Sequence, residues 1–527
     1  MAKKFNVTGL CLPQKHYMAD VSKKLNATYK LIEDGEYFTI NRPRQYGKTT
    51  TLHILRKRLI ASGYIVFHIS FEGIGDTIFT DEVLFTRGFL ELLGDRAHES
   101  APELKSWLME TALKTSSLKE LSSAISDLCS QTTKEIIVLI DEVDKSSNNQ
   151  LFVSFLAMLR DKYLDRDRDP TFHSIVLAGV HDVKSLKLKI RQGEERKYNS
   201  PWNIATEFTV DMNLYPDEIK PMLADYMQEE SITMDTQLIA DRLFYLTSGY
   251  PFLVSQMCKI IAEEILPQTG AKEWTETDVN KAFQMILRKR EIANFDTLIK
   301  NLQDYPDLYE LVYSVVLDGT VMDYQSDNPT INLGTLHGIF AASEEGTLKI
   351  HNRIYRERIA NYMISEWRTA NLGRDKINTD EFDYVSQYHL PNKALDMQKV
   401  LVNFQAFMKK VRSSKDEKFL ERDGRLIFLA FIKPIINGAG YDFKEPQVSE
   451  EKRLDVVITY HQHQYVAELK IWRGAAAHAK GVAQLVDYLN VMGLDTGYLL
   501  IFDHNKKKTW GKDWLDVDGK RIYWVRV

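Results

Sequence analysis

The sequence predicts an α/β protein of several domains, with a parallel sheet in its N-terminal half and a second α/β domain at its C-terminal end. The chain has 527 residues, which is longer than one core usually supports. Residues 36–69 have the pattern of strand, polar loop, helix and strand, and a wholly apolar run further on ends in two acids, Asp141 and Glu142. Residues 453–472 have the pattern of a hairpin with charged residues on one face.

The composition is that of a folded globular protein, since 44% of the residues are hydrophobic and 27% are charged. The net charge of −5 excludes a strongly basic chain, so any contact with nucleic acid must be local. Two short basic runs are candidates for such a contact, although runs of this kind are also typical of solvated surface. They are Lys409, Lys410 and Arg412, and Lys506, Lys507 and Lys508.

The three cysteines, Cys11, Cys129 and Cys258, are far apart and predict neither a disulfide framework nor a zinc site. The N-terminal residues lack the apolar run of a signal peptide, and no stretch approaches the length that spans a bilayer. We therefore expect a soluble, cytoplasmic protein with no membrane partner.

A phosphate-binding loop is predicted between a strand at residues 36–40 and a helix at residues 49–59. The intervening NRPRQYGKTT contains the second half of a Walker A motif, GxxxxGK[ST]. In such a loop, backbone N–H groups surround the phosphates, the lysine reaches the β and γ oxygens, and the next hydroxyl binds Mg²⁺. The nucleotide-binding residues expected here are Arg44, Gln45, Tyr46, Gly47, Lys48, Thr49 and Thr50, with Thr49 also a metal ligand.

The first half of this loop departs from the motif, because Arg42 stands where the first glycine belongs. We expect a modified loop conformation in which the Arg42 side chain points away from the nucleotide. Residues 64–69 supply the second strand of the βαβ unit that the motif requires.

An acid pair follows the apolar run IIVLI, which has the pattern of a central strand buried on both faces. Parallel sheets bind ligands at the carboxyl ends of such strands. Asp141 is therefore expected to hold Mg²⁺, and Glu142 to orient and deprotonate the attacking water. Another strand is expected at residues 174–179, ahead of His181 and Asp182, which are either γ-phosphate sensors or ordinary loop residues.

These segments, followed by SPWNIA at residues 200–205 and SGYPFLV at residues 248–254, resemble the AAA-like P-loop ATPases related to the STAND class over about residues 10–365. In that family the Gly-x-Pro turn closes on the nucleotide, which adds Pro251 to the binding residues, and a charged residue at the first Walker glycine is familiar. No arginine finger is assigned, although Arg191 and Arg196 lie in the right general region.

The resemblance also implies a division into domains. An AAA-like P-loop core is expected over residues 1–213, a helical lid over residues 214–295 and a winged helix over residues 296–365. A helical linker is expected over residues 366–395, ahead of a C-terminal domain over residues 396–527. Within the lid, Thr275 and Asp278 form a capping-box pattern at the start of a helix.

The C-terminal domain is expected to begin with a long amphipathic helix, and its hairpin carries the candidate chemistry. Residues two apart in a strand share a face, so Glu468 and Lys470 project together. Asp455 on the partner strand can converge with Glu468. Two such carboxylates can bind Mg²⁺, which activates water, while the lysine positions that water or stabilises the transition state.

This D-x12-ExK arrangement resembles the PD-(D/E)XK nuclease superfamily, in the versions fused behind AAA-like ATPases. The resemblance implies that Gln484, on a downstream helix, approaches the site and that Glu421 on an upstream helix completes it. A lone ExK pattern equally describes a surface ion pair. The presence of Asp455 and Gln484 in the right order favours the nuclease.

The function predicted from these sites is an ATP-hydrolysing switch that controls Mg²⁺-dependent cleavage of DNA, as in defence against foreign genetic elements. RNA is not excluded as the nucleic acid, and a homo-oligomer is expected from the resemblance. The alternative is a signalling ATPase whose C-terminal domain is catalytically inactive and only binds nucleic acid or a protein. A DNA-processing motor is a third class.

Overall fold

In a computed structural model, the chain folds into two compact units. One unit consists of Met1–Leu308 and Asp323–Tyr355, and the other of Tyr309–Met322 and Arg356–Val527. The residues that the structure describes are 3–72, 74–143, 150–180, 202, 204–289, 292–317, 320–371, 387–392, 394–411, 427–429, 431–432, 435–436, 440–441, 456–460, 463–472, 474–503 and 508–527.

The first unit contains a four-stranded parallel sheet in the order β1-β4-β3-β2. Each strand lies within a residue or two of its predicted position, so the predicted parallel α/β sheet is confirmed. All six residues of β3 are buried, as expected for a strand covered on both faces. The strands are β1 (Tyr37–Asn41), β2 (Ile65–Ser70), β3 (Ile136–Asp141) and β4 (Ser174–Gly179).

Helices of the first unit pack on this sheet through a large apolar core. Aromatic side chains dominate one part of that core, where Phe152 and Phe155 meet Phe85 and Phe71. The buried Trp202 stacks on Tyr37 of β1. The helices are α1 (Ser22–Glu33), α2 (Lys48–Ala61), α3 (Glu82–Arg96), α4 (Lys105–Lys114), α5 (Leu118–Ser130) and α6 (Gln150–Leu164).

A group of helices follows the sheet in the same unit. Pro216 occupies the first turn of its helix, where its missing N–H costs nothing. Thr275 and Asp278 form the predicted capping box, in which the Asp278 carboxylate accepts from the Thr275 backbone N–H at 3.0 Å. The elements are α7 (Pro216–Glu230), β5 (Thr233–Met234), α8 (Thr236–Thr247), α9 (Pro251–Ile260), α10 (Leu266–Thr269), β6 (Glu273–Trp274) and α11 (Glu276–Arg288).

Residues 293–371 form four further helices and a small antiparallel hairpin. The hairpin pairs Phe340 with Ile350. The winged-helix assignment of this region stays a prediction. The elements are α12 (Ala293–Asp304), α13 (Pro306–Val316), α14 (Pro329–Leu336), β7 (Phe340–Ala342), β8 (Leu348–Ile350) and α15 (Arg353–Asn371).

The second unit contains a six-stranded mixed sheet in the order β13-β14-β12-β11-β10-β9. Its three central strands, β11, β12 and β14, are parallel, and the outer pairs are antiparallel. The predicted hairpin is the β10–β11 pair. The strands are β9 (Gly440–Tyr441), β10 (Val456–Tyr460), β11 (His463–Ile471), β12 (Thr496–Phe502), β13 (Lys512–Val517) and β14 (Lys520–Arg526).

Helices cover both faces of this sheet. Ala475–Met492 packs Leu485 and Leu489 against Leu499 and Ile501 of β12. On the other face, Phe404 of the helix Met397–Val411 contacts Phe502. Residues 427–429, 431–432 and 435–436 are also helical.

Across the residues described, no helix is both long enough and apolar enough to cross a membrane.

Candidate functional site

The loop between β1 and α2 turns sharply at two residues with left-handed backbone angles, Gln45 at φ 60° and Gly47 at φ 81°. Gly47 caps α2, which begins at Lys48. A residue other than glycine would be strained at Gly47. The loop therefore places Lys48 and Thr49 in the first turn of α2, where the positive end of the helix dipole favours phosphate.

The Lys48 side chain folds back over its own loop. Its ammonium group donates to the backbone oxygens of Arg42 at 2.8 Å and Pro43 at 3.0 Å. Only 7% of the residue is exposed. These contacts hold a buried positive charge over the loop, at the position from which a lysine can reach phosphate oxygens.

The hydroxyl of Thr49 donates to the Asp141 carboxylate at 2.8 Å, which joins the loop to the end of β3. Asp141 is 4% exposed, and its other oxygen accepts from the backbone N–H of Glu142 at 3.0 Å. A hydroxyl and a carboxylate are oxygen ligands of the kind that Mg²⁺ prefers. Glu142 adopts φ 56°, an unusual angle for a residue with a side chain, directly after the strand.

A cavity of about 300 Å³ opens beside these groups. Its lining includes the hydroxyl residue Thr49 and the acidic residues Asp141 and Glu142. The residues present thus fit a phosphate chain with Mg²⁺, because hard oxygen ligands lie beside the positive end of a helix. The cavity also has a basic wall, which contains His53, Arg56, His68 and Arg96.

The two histidines of this wall are uncharged at neutral pH. Burial, reinforced by the nearby Arg56 charge, lowers the pKa of His68 to about 4. The same two causes lower the pKa of His53. The positive charge of the wall therefore comes from the arginines, of which Arg56 is ion-paired with Glu99.

The predicted binding residue Tyr46 is buried and is held from two directions. Its hydroxyl donates to the Asn213 side-chain oxygen and lies 2.8 Å from Nε2 of His351. His351 follows β8 and is itself buried. The Walker loop is therefore hydrogen-bonded to a residue 305 positions away.

The Gly249-Tyr250-Pro251 turn also contacts the loop. Tyr250 donates its hydroxyl to the Arg44 backbone oxygen at 2.7 Å, and Pro251 is the first residue of α9. Gly249 has φ +74°, and a Cβ atom there would lie 2.4 Å from the Leu214 oxygen. The turn can approach this closely only because position 249 is a glycine.

At the position of the missing glycine, the Arg42 side chain is directed towards residues 208–210. Its guanidinium donates to the backbone oxygens of Val210 at 2.7 Å and Asn41 at 2.8 Å, and it lies 5.3 Å from the centre of the Phe208 ring. The side chain thus ties the loop to residues 208–210. The remaining predicted residue, Thr50, accepts from the Cys11 backbone N–H at 3.2 Å.

The sequence did not reveal three residues of this region, His351, Asn213 and Tyr250. Tyr250 lies inside the Gly-x-Pro turn, which was a usable signal. His351 and Asn213 are ordinary polar residues in the sequence, and no pattern around them indicates a contact with the loop.

In the second unit, Glu468 and Lys470 form an ion pair at 2.6 Å on one face of β11. Glu468 is completely buried, whereas the Lys470 side chain is 33% exposed. Gly481 of the covering helix lies against Lys470, since a Cβ there would sit 3.2 Å from the Lys470 Cγ. Gln484 lies one turn further along the same helix.

Several predicted residues lie outside the described part of the chain. They are Glu421, Asp455, His181, Asp182, Arg191 and Arg196. Within the described part, no group of three or more His, Cys, Asp or Glu side chains is placed to hold a metal ion.

The first unit has a parallel sheet whose first strand is followed by a glycine-lysine-threonine loop. The threonine of this loop is hydrogen-bonded to Asp141, the first of the two acids at the end of β3. These features define a P-loop nucleotide-binding domain. Residues 10–356 match the family described as AAA-like domain, and the chain belongs to this family. No curated protein gives a significant match to the chain.

Three solved structures illustrate what the chain is similar to. The Walker-type ATPase PABY2304 of Pyrococcus abyssi has 13% identity and a TM-score of 0.46, with 67% of this chain and 99% of that chain covered. The ORC2 protein of Aeropyrum pernix has 12% identity and a TM-score of 0.38, with coverages of 69% and 98%. The RuvB Holliday junction branch migration motor of Thermotoga maritima has 14% identity and a TM-score of 0.34, with coverages of 66% and 95%.

Proposed function

We propose that the chain is an ATP-hydrolysing switch, related to the STAND class, that controls a Mg²⁺-dependent PD-(D/E)XK nuclease in its C-terminal domain. The nuclease acts on DNA, in defence against foreign genetic elements. The observation that carries the ATPase half is the Thr49–Asp141 hydrogen bond beside the buried Lys48 ammonium. The observation that carries the nuclease half is the buried Glu468 paired with Lys470.

In the ATPase site, Lys48 exchanges its two backbone acceptors for phosphate oxygens of ATP. Thr49 and Asp141 would hold Mg²⁺, which would neutralise phosphate charge. Glu142 orients a water molecule and accepts its proton. The cavity beside these groups supplies the space that this water needs.

The nuclease site is argued from the cost of burying charge. A carboxylate that is completely buried costs several kcal/mol unless it is paired, and a buried ion pair often contributes little net stability. In other proteins, replacing a buried ion pair by apolar residues of similar size is often neutral or stabilising. The presence of Glu468 and Lys470 between the apolar neighbours of β11 therefore favours a chemical role.

The hairpin register supports a second ligand for this site. Val456 of β10 pairs with Ala467 of β11. Asp455 is the next residue before Val456, and Glu468 is the next after Ala467. In the proposed mechanism Asp455 and Glu468 hold Mg²⁺, while Lys470 positions the attacking water or stabilises charge on the phosphate, with Gln484 and Glu421 assisting.

A cleavage assay with the full chain tests the proposal. Labelled single-stranded DNA, duplex DNA and RNA are incubated with Mg²⁺, with and without ATP. We expect DNA cleavage by the wild type and its loss in Glu468→Gln. A matched control is Asp516→Asn, which removes an exposed carboxylate ion-paired to Arg521 on the neighbouring hairpin, and it should cleave normally.

The same assay decides between the proposal and its alternative. Equal cleavage by wild type and Glu468→Gln would refute the nuclease site. Binding of nucleic acid without cleavage by any variant would indicate a signalling ATPase whose C-terminal domain is a catalytically inactive binding module.

A further inference from the structure

We propose that Lys409, Lys508 and Trp510, which we call the lysine–tryptophan cluster, bind the phosphate backbone of nucleic acid. The proposal rests on the proposed nuclease function and assigns the surface through which the substrate is held. The three residues come from the two short basic runs of the sequence and from the segment that follows the second run.

Two ammonium groups from distant parts of the chain converge on one aromatic ring. Nζ of Lys508 lies 4.2 Å from the centre of the Trp510 ring, and Nζ of Lys409 lies 5.1 Å from it. Lys409 is exposed and Trp510 is half-buried. An aromatic face attracts each cation, so the ring holds both lysines near one place.

The segment that carries the cluster is held by hydrogen bonds on both sides of Trp510. Gln405, one turn before Lys409 on the same helix, donates to the backbone oxygens of Gly511 at 3.1 Å and Arg526 at 2.8 Å. Arg526 donates through its backbone to Gly511 at 2.9 Å and through its side chain to Thr509 at 3.3 Å. The convergence is therefore built into the packing of this helix against the end of β14.

The same end of the sheet carries the Glu468–Lys470 pair. In the parallel register, Lys470 of β11 pairs with Ile501 of β12, which pairs with Arg526 of β14. Two strand spacings, about 10 Å, separate Lys470 from Arg526 along this row. Lys470 lies on the face covered by Ala475–Met492, whereas Lys409 belongs to the helix on the other face, so a nucleic-acid strand bound at the cluster would pass around the end of the sheet to reach the proposed cleavage site.

Charge indicates the kind of partner. Lysine ammonium groups pair with phosphates along a nucleic-acid backbone, and an aromatic ring beside them offers a face on which a base can stack. A chain of phosphates is the polyanion that the neighbouring nuclease-like pair would act on. Lysines that contact phosphate are expected to strengthen nucleic-acid binding in a salt-dependent way that depends little on base sequence.

The test measures binding of fluorescein-labelled DNA and RNA oligonucleotides to the full chain by anisotropy, in EDTA so that no metal-dependent cleavage occurs. Replacing both lysines, Lys409→Gln with Lys508→Gln, should raise Kd at least about tenfold at low salt and should reduce the slope of log K against log salt by about one to two. Trp510→Ala should weaken binding in the same direction, and Trp510→Phe, which keeps an aromatic face, should restore most of it.

A second cation–aromatic pair in the same domain supplies the control. Arg521 lies 4.6 Å from the Trp514 ring on the β13–β14 hairpin, and Arg521→Gln should leave the Kd for oligonucleotides unchanged. Unchanged Kd and salt slope in the double lysine variant would overturn the proposal, as would preferential binding of poly-glutamate over oligonucleotide at the cluster.

Failure of this proposal is distinguishable from failure of the nuclease assignment. If the wild type cleaves DNA and the double lysine variant binds it equally well, the cluster is not the binding surface, and the nuclease assignment stands. If the wild type never cleaves but the double variant loses binding, the surface stands without the nuclease.

Discussion

At the scale of single residues, the proposed function assigns different tasks to the loop between β1 and α2 and to the acid pair. Lys48 places a buried ammonium over the loop, where it can contact phosphate. Glu142 follows Asp141 directly and borders the cavity. Loss of the Lys48 ammonium should therefore weaken ATP binding, and loss of the Glu142 carboxylate should slow ATP hydrolysis.

We expect Lys48→Ala to weaken ATP binding by at least about tenfold, because it removes a charge-assisted phosphate contact. Glu142→Gln should bind ATP nearly normally and hydrolyse it about a hundredfold more slowly, because only water activation is lost. Fluorescent-nucleotide titration and phosphate release measure the two effects. Lys57→Ala, an exposed position on α2, is the control. Equal losses of binding in Lys48→Ala and Glu142→Gln would contradict this division of roles.

His351 is a residue whose protonation is tied to the loop. The network assigns a proton to its Nε2, which donates to Tyr46, while its Nδ1 faces the Asn352 amide at 3.3 Å. Burial, reinforced by Lys349 and opposed by Asp211, lowers the pKa of His351 to about 4. The folded chain therefore keeps this imidazole neutral in a range where the unfolded chain protonates it.

We expect His351 to make the fold acid-sensitive between about pH 6.5 and pH 4. As the pH falls through this range, the unfolded chain binds a proton and the folded chain does not, so the free energy of unfolding decreases. The contribution between pH 7 and pH 5 is about 2 kcal/mol. Urea unfolding of wild type and His351→Gln at both pH values should show the larger loss in wild type, and His98→Gln, at an exposed histidine, should behave like wild type. Identical pH dependence in wild type and His351→Gln would exclude this contribution.

At the scale of elements, the turn between α8 and α9 determines how these two helices contact the loop between β1 and α2. Gly249 packs against the backbone of Leu214, whose N–H donates to the Gly249 oxygen at 2.8 Å. The next residue, Tyr250, then reaches the Arg44 oxygen. Backbone conformation at one glycine thus sets a contact with the nucleotide loop.

Gly249→Ala should destabilise the first unit by roughly 2–4 kcal/mol, because it combines a left-handed backbone angle with a backbone clash. It should also weaken ATP binding through the displaced Tyr250. Gly270→Ala is the matched control, since its φ is +64° but a Cβ there meets nothing within 4 Å, so it should cost only about 1 kcal/mol. Thermal unfolding and nucleotide titration measure both variants. Similar losses in the two variants would show that the close approach at Leu214 does not matter.

At the scale of the whole molecule, the proposed switch requires that nucleotide bind two conformations or assemblies with different affinity, since otherwise it can shift neither. A nuclease with a complete acidic site would damage its host unless something restrained it. The contacts of Tyr46 with His351 and of Tyr250 with Arg44 are routes by which an occupied loop could alter the rest of the first unit.

We expect ATP to change both the assembly size and the DNA cleavage rate. Light scattering and cleavage are measured together for wild type and Glu142→Gln, with ATP, with ADP and without nucleotide. Glu142→Gln should hold the ATP-dependent state longest, because it binds without rapid hydrolysis. If the mass of the assembly and the cleavage rate are the same under all conditions, including after addition of DNA molecules tested as activators, ATP hydrolysis and DNA cleavage are not coupled.

The sequence by itself determined the features that neighbouring residues encode. Three such features each lie within one helix, strand or turn, where periodicity and local hydrogen bonding decide the conformation. They are the apolar run ending at Asp141, the capping box at Thr275 and the glycine-lysine-threonine turn. For this reason the parallel sheet and the position of the loop were predictable.

Only the tertiary structure decided which distant residues meet. The contact of His351 with Tyr46 and the convergence of Lys409 and Lys508 on Trp510 join positions 305 and about a hundred residues apart. Each of these residues is locally ordinary, and its environment depends on how helices pack against strands that lie far away in the chain. Burial and charge at such places are properties of the packed chain, which no short pattern contains.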